Sequence, residues 1–373
     1  MNKSDIRIMM VLDEFNLGGM ETYTFYLTKA LLEMGIHVVV IGRKGIFYDE
    51  FKKLNCPIYT VNFPRYHFIK PENEEQFYND LRTIIEKERI NLVNFHDLLP
   101  VGYLLKAIQG LNIPTILTVH GLYFENDWLV QTAKKVNAVI SVSLPVQAHL
   151  QKYQIPSKVI HNGIDFDKYN YDPKRELRHE IGLPDDAKVI LYAGRLAYNK
   201  AEICRLILLA CSEINKTQVQ DIHVVVAGTG LKYAEIQQLA NKLNKINRKN
   251  FIHLIGKRHD MQNCYSSSDC VIGTGRVAIE AMACKRPVIA IGSVGHIGLV
   301  DQKNYNETLK YYFGDHDAKY VYSKDLIKKD IINILSSTNF SPGTGEVGRE
   351  WAKMYFDLKK ISLEVIEFFQ SIK

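Results

Sequence analysis

The chain has 373 residues, room for two ordinary domains of about 100–200 residues each. Its 46% hydrophobic and 24% charged residues are globular proportions, which excludes general disorder. The net charge of +6 comes with no arginine-rich run or RNA-binding signature, so no nucleic-acid partner is expected. The excess fits a solvated surface, or a preference for phosphorylated ligands or an anionic membrane face.

The first apolar stretch, Ile6–Leu12, reads as a buried strand. It runs straight into Asp13 and Glu14 with no small-residue cleavage site, so no signal peptide is expected. Gly18-Gly19 follows in a loop. Tyr23, Tyr26, Leu27, Ala30, Leu31 and Met34 then recur at helical spacing, and Gly35 ends that helix. His37–Ile41 is the next strand. The alternation continues through Leu92–Phe95, Leu99–Gln109, Thr115–Val119 and Ala138–Val142, a β-α-β-α series that predicts a parallel sheet covered by helices. A polar stretch from Asp165 to Asp186 separates it from a second series. There Lys188–Ala193, His223–Ala227, Ile252–Ile255, Cys270–Ile272 and Pro287–Ile291 read as five strands. Gly345–Lys373 carries Trp351, Met354, Leu358, Ile361, Val365 and Phe368 at spacings of three and four, which predicts one amphipathic helix with a face to bury. No apolar run approaches the ~18 residues of a membrane span. The six cysteines form no CxxC pair or Cys/His cluster, so reduced thiols in a cytoplasmic protein, with no zinc site, are expected.

Open α/β sheets bind ligands outside the carboxyl ends of their strands, which singles out the residues that directly follow each strand. Gly18-Gly19 there is either a close approach to an anionic ligand at a helix start or a tight turn. His96-Asp97 follows Leu92–Phe95, and His120-Gly121 follows Thr115–Val119; each histidine is a ligand contact or a structural residue. Arg195 and Lys200, five positions apart, follow Lys188–Ala193 and form either a diphosphate clamp or a solvated pair. Gly228-Thr229-Gly230 is a phosphate-facing loop or a turn. Gly273-Thr274-Gly275-Arg276 leads into a helix carrying Glu280. Its G-x-G-x-x-A spacing formally fits a dinucleotide fingerprint, but the next strand ends in Gly292-Ser293 rather than in the acid that would hold a ribose. Glu280 is a ribose ligand or an acid favoured by the helix dipole. Asp315-His316-Asp317 is a metal–diphosphate D-x-D element or a surface turn. Phe63–Lys70 interleaves aromatic and basic residues, as a surface loop or an anionic-membrane contact.

Taken together, these motifs resemble the family 4 glycosyltransferases of the GT-B fold, over nearly the whole chain. The resemblance rests on Gly18-Gly19-Met20-Glu21, Thr118-Val119-His120-Gly121, Ile160-His161-Asn162-Gly163-Ile164-Asp165 and Gly194 through Lys200. It continues in Ala227-Gly228-Thr229-Gly230 and in Glu280 through Ala290. It implies two Rossmann-like domains facing across a deep cleft: an acceptor-side domain over 1–165, a nucleotide-sugar domain over 166–350, and a final helix over 351–373 that crosses back to the first. It also implies retaining transfer of a hexose from a nucleotide-diphosphate sugar, UDP by default, to a glycan or lipid-linked acceptor in cell-surface polysaccharide or glycoconjugate synthesis.

In that scheme His120, Arg195 and Lys200 are catalytic. Gly18, Gly19, Gly228, Gly230, Gly273, Thr274, Gly275, Arg276 and Glu280 bind the donor, and His96 and Asp97 lie on the acceptor side. No cofactor or metal is expected, because the two cations replace it. A cytoplasmic protein, with peripheral contact at the membrane face, completes the expectation. One position departs from the family pattern. Where the family has a glutamate eight residues before Glu280, this chain has Ile272, and the loop that follows is shorter. Arg276 puts a positive charge where the family has that carboxylate. This departure keeps a second reading open, a weakly active or inactive GT-B module that binds a partner or a glycan. A nucleotide-sugar epimerase on the same architecture is a third.

Overall fold

The computed structural model describes residues 5–64, 72–184, 186–217, 221–336 and 344–372. Contacts divide the chain into two units, Met1–Gly163 with Phe356–Lys373, and Ile164–Tyr355.

The first unit is built on β1 (Arg7–Glu14), β2 (His37–Arg43), β3 (Ile58–Thr60), β4 (Leu92–Phe95), β5 (Thr115–Val119), β6 (Ala138–Ser141) and β7 (Lys158–Val159). They pair in the order β3-β2-β1-β4-β5-β6-β7, all parallel. The strands are continuous apolar runs because helices cover both faces. The period of two then divides each strand between two cores. Met9, Val11, Val39, Ile41, Val93, Phe95, Leu117 and Val119 enter one. Ile8, Met10, Leu12, Val38, Val40, Leu92 and Ile116 enter the other.

The second unit contains β8 (Lys188–Ala193), β9 (Ile222–Ala227), β10 (Ile252–Gly256), β11 (Cys270–Gly273), β12 (Val288–Ile291) and β13 (His296–Leu299). The order is β10-β9-β8-β11-β12-β13, parallel except for the antiparallel β12–β13 pair. The five expected strands are present. The sixth, β13, lies in a stretch to which periodicity assigns no element. The turn before it is closed by Gly292 N–H donating to Gly295 O (2.9 Å), too short for the crossover that a parallel strand requires.

The single helix expected over Gly345–Lys373 is instead two. The helix Thr344–Phe356 ends at Asp357, whose extended backbone and carboxylate cap a second helix, Leu358–Ser371, by accepting from the amides of Lys359 and Lys360. Ile361, Val365, Ile366 and Phe369 of the second helix enter the core of the first unit. Met354, counted in the buried face by its spacing, is exposed. Trp351 stacks instead on Tyr305 within the second unit, ring centroids 4.5 Å apart.

All six cysteines are free, and burial raises their thiols, Cys211 to about 12. Among the described residues no helix is long and apolar enough to cross a membrane. Of the aromatic and basic segment Phe63–Lys70, residues 65–70 lie outside the described residues. Phe63 itself is a core residue against Phe77 and Tyr103.

Candidate functional site

Strand order reverses in each sheet, between β1 and β4 in the first unit and between β8 and β11 in the second. The flagged residues follow the carboxyl ends of these strands and of their neighbours β5 and β9, the crevice position of open α/β sheets.

In the first unit the helix Gly19–Glu33 starts directly after β1. Its N-cap, Gly18, is extended and contributes no side-chain cap, so the first amides keep their hydrogen-bonding capacity. Open space surrounds Gly19 where a Cβ would stand. β4 and β5 are parallel neighbours, with Phe95 opposite Leu117, so the residues following them meet. His96 Nδ1 lies 3.0 Å from His120 Nε2, and the ring of Tyr23 packs edge-on against both.

A buried chain of hydrogen bonds sets which nitrogen carries the proton. Thr118 Oγ1 donates to Asn94 Oδ1 (2.9 Å), which turns the amide nitrogen of Asn94 toward His96 Nε2 (3.3 Å). His96 Nε2 therefore accepts, and its Nδ1–H donates to His120 Nε2. Burial lowers His96 to about 3, which keeps it neutral. His120 then holds its own proton on Nδ1.

His96 is expected on the acceptor side. It is only 1% exposed, with Nδ1 turned to His120. Its neighbour Asp97 accepts a hydrogen bond from the Leu98 amide (2.7 Å). Burial, reinforced by Asp13 and Glu21, raises the Asp97 carboxyl to about 7 against the pull of the Leu98 and Leu99 amides. Asn94, Thr118 and Tyr23 are the residues that sequence reasoning missed. The signal available for the first two is their position two residues before each flagged histidine, on the same face of a strand.

In the second unit, the loop after β8 carries Arg195 and leads into the helix Tyr198–Lys216. Arg195 is exposed, and its side chain has no ion-pair or hydrogen-bond partner among the described residues. Gly228 and Gly230 hold this loop rather than pointing outward. Gly194 N–H donates to Ala227 O (3.0 Å) and Leu196 N–H to Thr229 O (2.9 Å). A Cβ on Gly228 would stand 2.0 Å from Gly194 O, and one on Gly230 2.5 Å from Leu196 O. Both have positive φ (148° and 157°), so only glycine fits comfortably.

After β11, Gly273 is also packed close; a Cβ there would lie 2.5 Å from Val277 Cγ1. Thr274 is the N-cap of the helix Gly275–Ala283, but its hydroxyl donates to Phe313 O (2.8 Å) instead of capping. The helix Tyr198–Lys216 likewise has no side-chain cap. Two helix N-termini thus flank the switch point between β8 and β11, a combination suited to an anion.

Lys200 lies in the first turn of one of them, its Nζ 3.3 Å from Asp315 Oδ1. Arg276 does not carry its charge outward, as the sequence suggested. It folds back one turn, Nε 2.6 Å from Glu280 Oε1, while Tyr265 donates to Glu280 Oε2 (2.8 Å). Glu280 is buried with both oxygens engaged, leaving one further lone-pair direction on each. Ile272 is fully buried in the sheet core.

The Asp315-His316-Asp317 stretch does not form a paired-carboxylate metal site. Asp315 turns inward to Lys200, and Asp317 accepts from the amide of Ala318. Among the described residues no three potential ligands gather to hold a metal ion. Sequence reasoning weighed Asp315 as half of a metal–diphosphate element or as a surface turn, not as the partner of Lys200.

Comparison with known proteins matches residues 17–168 to the family described as Glycosyltransferase Family 4, and residues 173–311 to Glycosyl transferases group 1. An uncharacterized glycosyltransferase of Methanocaldococcus jannaschii is 25% identical, over 91% of each chain. The alpha-monoglucosyldiacylglycerol synthase of Streptococcus pneumoniae is 25% identical, over 67% of this chain and 62% of its own. Among solved structures, Anabaena HepE in complex with UDP and glucose superposes with a TM-score of 0.78 at 17% identity, covering 98% of this chain and 100% of that one. The chain belongs to glycosyltransferase family 4, with the two Rossmann-like domains of the GT-B fold.

Proposed function

We propose that this glycosyltransferase moves a hexose, with retention of anomeric configuration, from a nucleotide-diphosphate sugar to a glycan or lipid-linked acceptor. The observation that carries the reading is the cationic setting of the second switch point. Arg195 is exposed and unpaired there among the described residues, Lys200 stands five positions on, and two uncapped helix N-termini converge. A departing diphosphate needs this kind of preorganised positive charge, and its stabilisation is the main electrostatic task of the transfer. Arginine offers two parallel donors and lysine a point charge, so the pair does the work that a divalent ion does elsewhere.

His120, held with its proton on Nδ1, would face the donor sugar. Gly18 and Gly19 would admit the donor phosphates or the acceptor close to the backbone. The amides at Gly273, Thr274 and Gly275 would face the sugar or phosphate, and Glu280 would hold the ribose. UDP is the donor nucleotide we favour, supported by the UDP bound in HepE. A lipid-linked acceptor at a membrane face is supported by the lipid product named for the streptococcal relative. Synthesis of a cell-surface polysaccharide or glycoconjugate is the setting that fits both.

Titration calorimetry with UDP, GDP and ADP, without metal, tests the reading, followed by hydrolysis assays with the sugar forms. Micromolar binding lost in Arg195→Ala is the expected result. No binding of any of the three would favour the second reading, a partner- or glycan-binding module, for which the apolar Ile272 is the specific observation.

A further inference from the structure

The 3-10 turn Tyr312–Gly314 delivers a carboxylate into the group of residues that the donor reading assigns to the diphosphate. Asp315 Oδ1 accepts from Ser293 Oγ (2.8 Å) and lies 3.3 Å from Lys200 Nζ. Its Oδ2 stands 3.6 Å from the point a Cβ on Gly275 would occupy, at the first turn of the helix Gly275–Ala283. Burial pushes the carboxyl up, but Lys200, with His316 and the Ser293 hydroxyl, outweighs it and holds Asp315 below its ordinary range. The site thus carries a fixed negative charge beside its lysine.

That carboxylate cannot easily leave. Val294 and Gly295 amides both donate to Gly314 O, at 3.2 and 3.3 Å. A Cβ on Gly292 would stand 2.2 Å from Gly314 C and O and 2.5 Å from Asp315 N, so the two backbone segments are in direct contact. Thr274 ties the same turn to the helix start through Phe313 O. Asn199 Nδ2 donates to Ser293 O (3.0 Å), which locks the loop bearing Ser293 to the helix bearing Lys200. A diphosphate arriving at Lys200 takes over the ammonium and repels the carboxylate next to it. A partly buried carboxylate that loses its cation needs other hydrogen-bond donors. The uncharged donors that such a ligand brings are its hydroxyl groups.

Resting on the donor reading above, we propose that Asp315 contacts the transferred sugar, its carboxylate accepting hydrogen bonds from sugar hydroxyls once the diphosphate has engaged Lys200. A segment far along the chain thereby supplies a carboxylate to a site that has Ile272 at the family's glutamate position.

The test compares wild type, Asp315→Asn and Asp315→Glu by titration calorimetry with UDP, GDP and ADP, each against its glucose conjugate, without metal. Asp315→Asn removes the negative charge beside Lys200, so the free diphosphate should bind as well as to wild type or several-fold more tightly. Affinity for the sugar conjugate relative to the free diphosphate should fall by about 10- to 100-fold, the worth of hydrogen bonds to a charged acceptor. Asp315→Glu keeps the charge but moves it by one methylene. It should hold wild-type affinity for the free diphosphate and lower that ratio, which keeps the test decisive if the asparagine variant unfolds. An unchanged ratio in both variants, with wild-type binding intact, overturns the role of Asp315 alone. A folded wild type that binds none of the three diphosphates overturns the donor reading, and this inference with it.

Discussion

Gly228→Ala probes how the Arg195 loop is held, without touching Arg195. The methyl would stand 2.0 Å from Gly194 O, whereas real Cβ contacts stay beyond 3.0 Å, so the two backbones must part by about 1 Å. Position 228 also has φ 148°, a region that costs an L side chain about 1–3 kcal/mol. Overpacking adds about 1–3 kcal/mol, for a total of about 2–6 kcal/mol. For a unit of this size that lowers the melting temperature by about 5 °C or more. A displacement near 1 Å at a ligand-positioning loop costs about 100-fold in turnover. Gly182→Ala is the control. It has φ 67° with open space at the Cβ position, so it pays only the strain of the left-handed region, about 1–2 kcal/mol. Thermal melting and nucleoside-diphosphate titration of both variants make the comparison. If Gly228→Ala melts like Gly182→Ala and binds like wild type, close packing is not what places the Arg195 loop.

Arg195→Ala and Lys200→Ala should both cut turnover by at least about 100-fold. Only Lys200→Ala should also lower the melting temperature, because it strips Asp315 of its cation while the Arg195 side chain has no partner among the described residues. Asp97 makes stability fall as pH rises. Its folded value of about 7 lies above the ordinary carboxylate value, so the folded state binds the extra proton, and stability present near pH 4 is lost as pH climbs through 7. Melting curves from pH 4 to 8 should show this slope in wild type and not in Asp97→Asn; an identical slope in both would exclude Asp97 as its source. Nitrogen-15 NMR of the histidine rings should show His96 neutral down to about pH 3, protonated on Nδ1, with His120 protonated on Nδ1 as well. Asn94→Leu should shift those tautomer populations without unfolding the chain. Unchanged ring signals would mean that Asn94 does not set them.

Much of the fold is local information. Runs such as Leu92–Phe95, Thr115–Val119 and Lys188–Ala193 are long enough, and apolar enough, to announce buried strands, and the structure starts and ends them at those residues. β3 and β7 are only three and two residues long and lie at the two edges of the first sheet. So short a segment carries no readable period, and its pairing is decided by the strand beside it. The helix break at Asp357 was legible in principle, since an aspartate before two amides is an N-cap signal, but the apolar spacing runs through it unbroken.

The site divides in the same way. His120, Arg195 and Lys200 stand out in the sequence because each directly follows a strand or opens the next helix, and chain order alone puts them at a sheet's carboxyl edge. The partners of those residues do not follow from chain order. Asp315 meets Lys200 across 115 positions, His96 meets His120 only because β4 and β5 are parallel and in register, and Arg276 turns back on Glu280 rather than outward. Backbone propensity and hydrophobic period act over a few residues, so they are written locally. The charge state and the hydrogen-bond partner of a side chain depend on whatever the fold brings within about 4 Å, and that only tertiary structure decides.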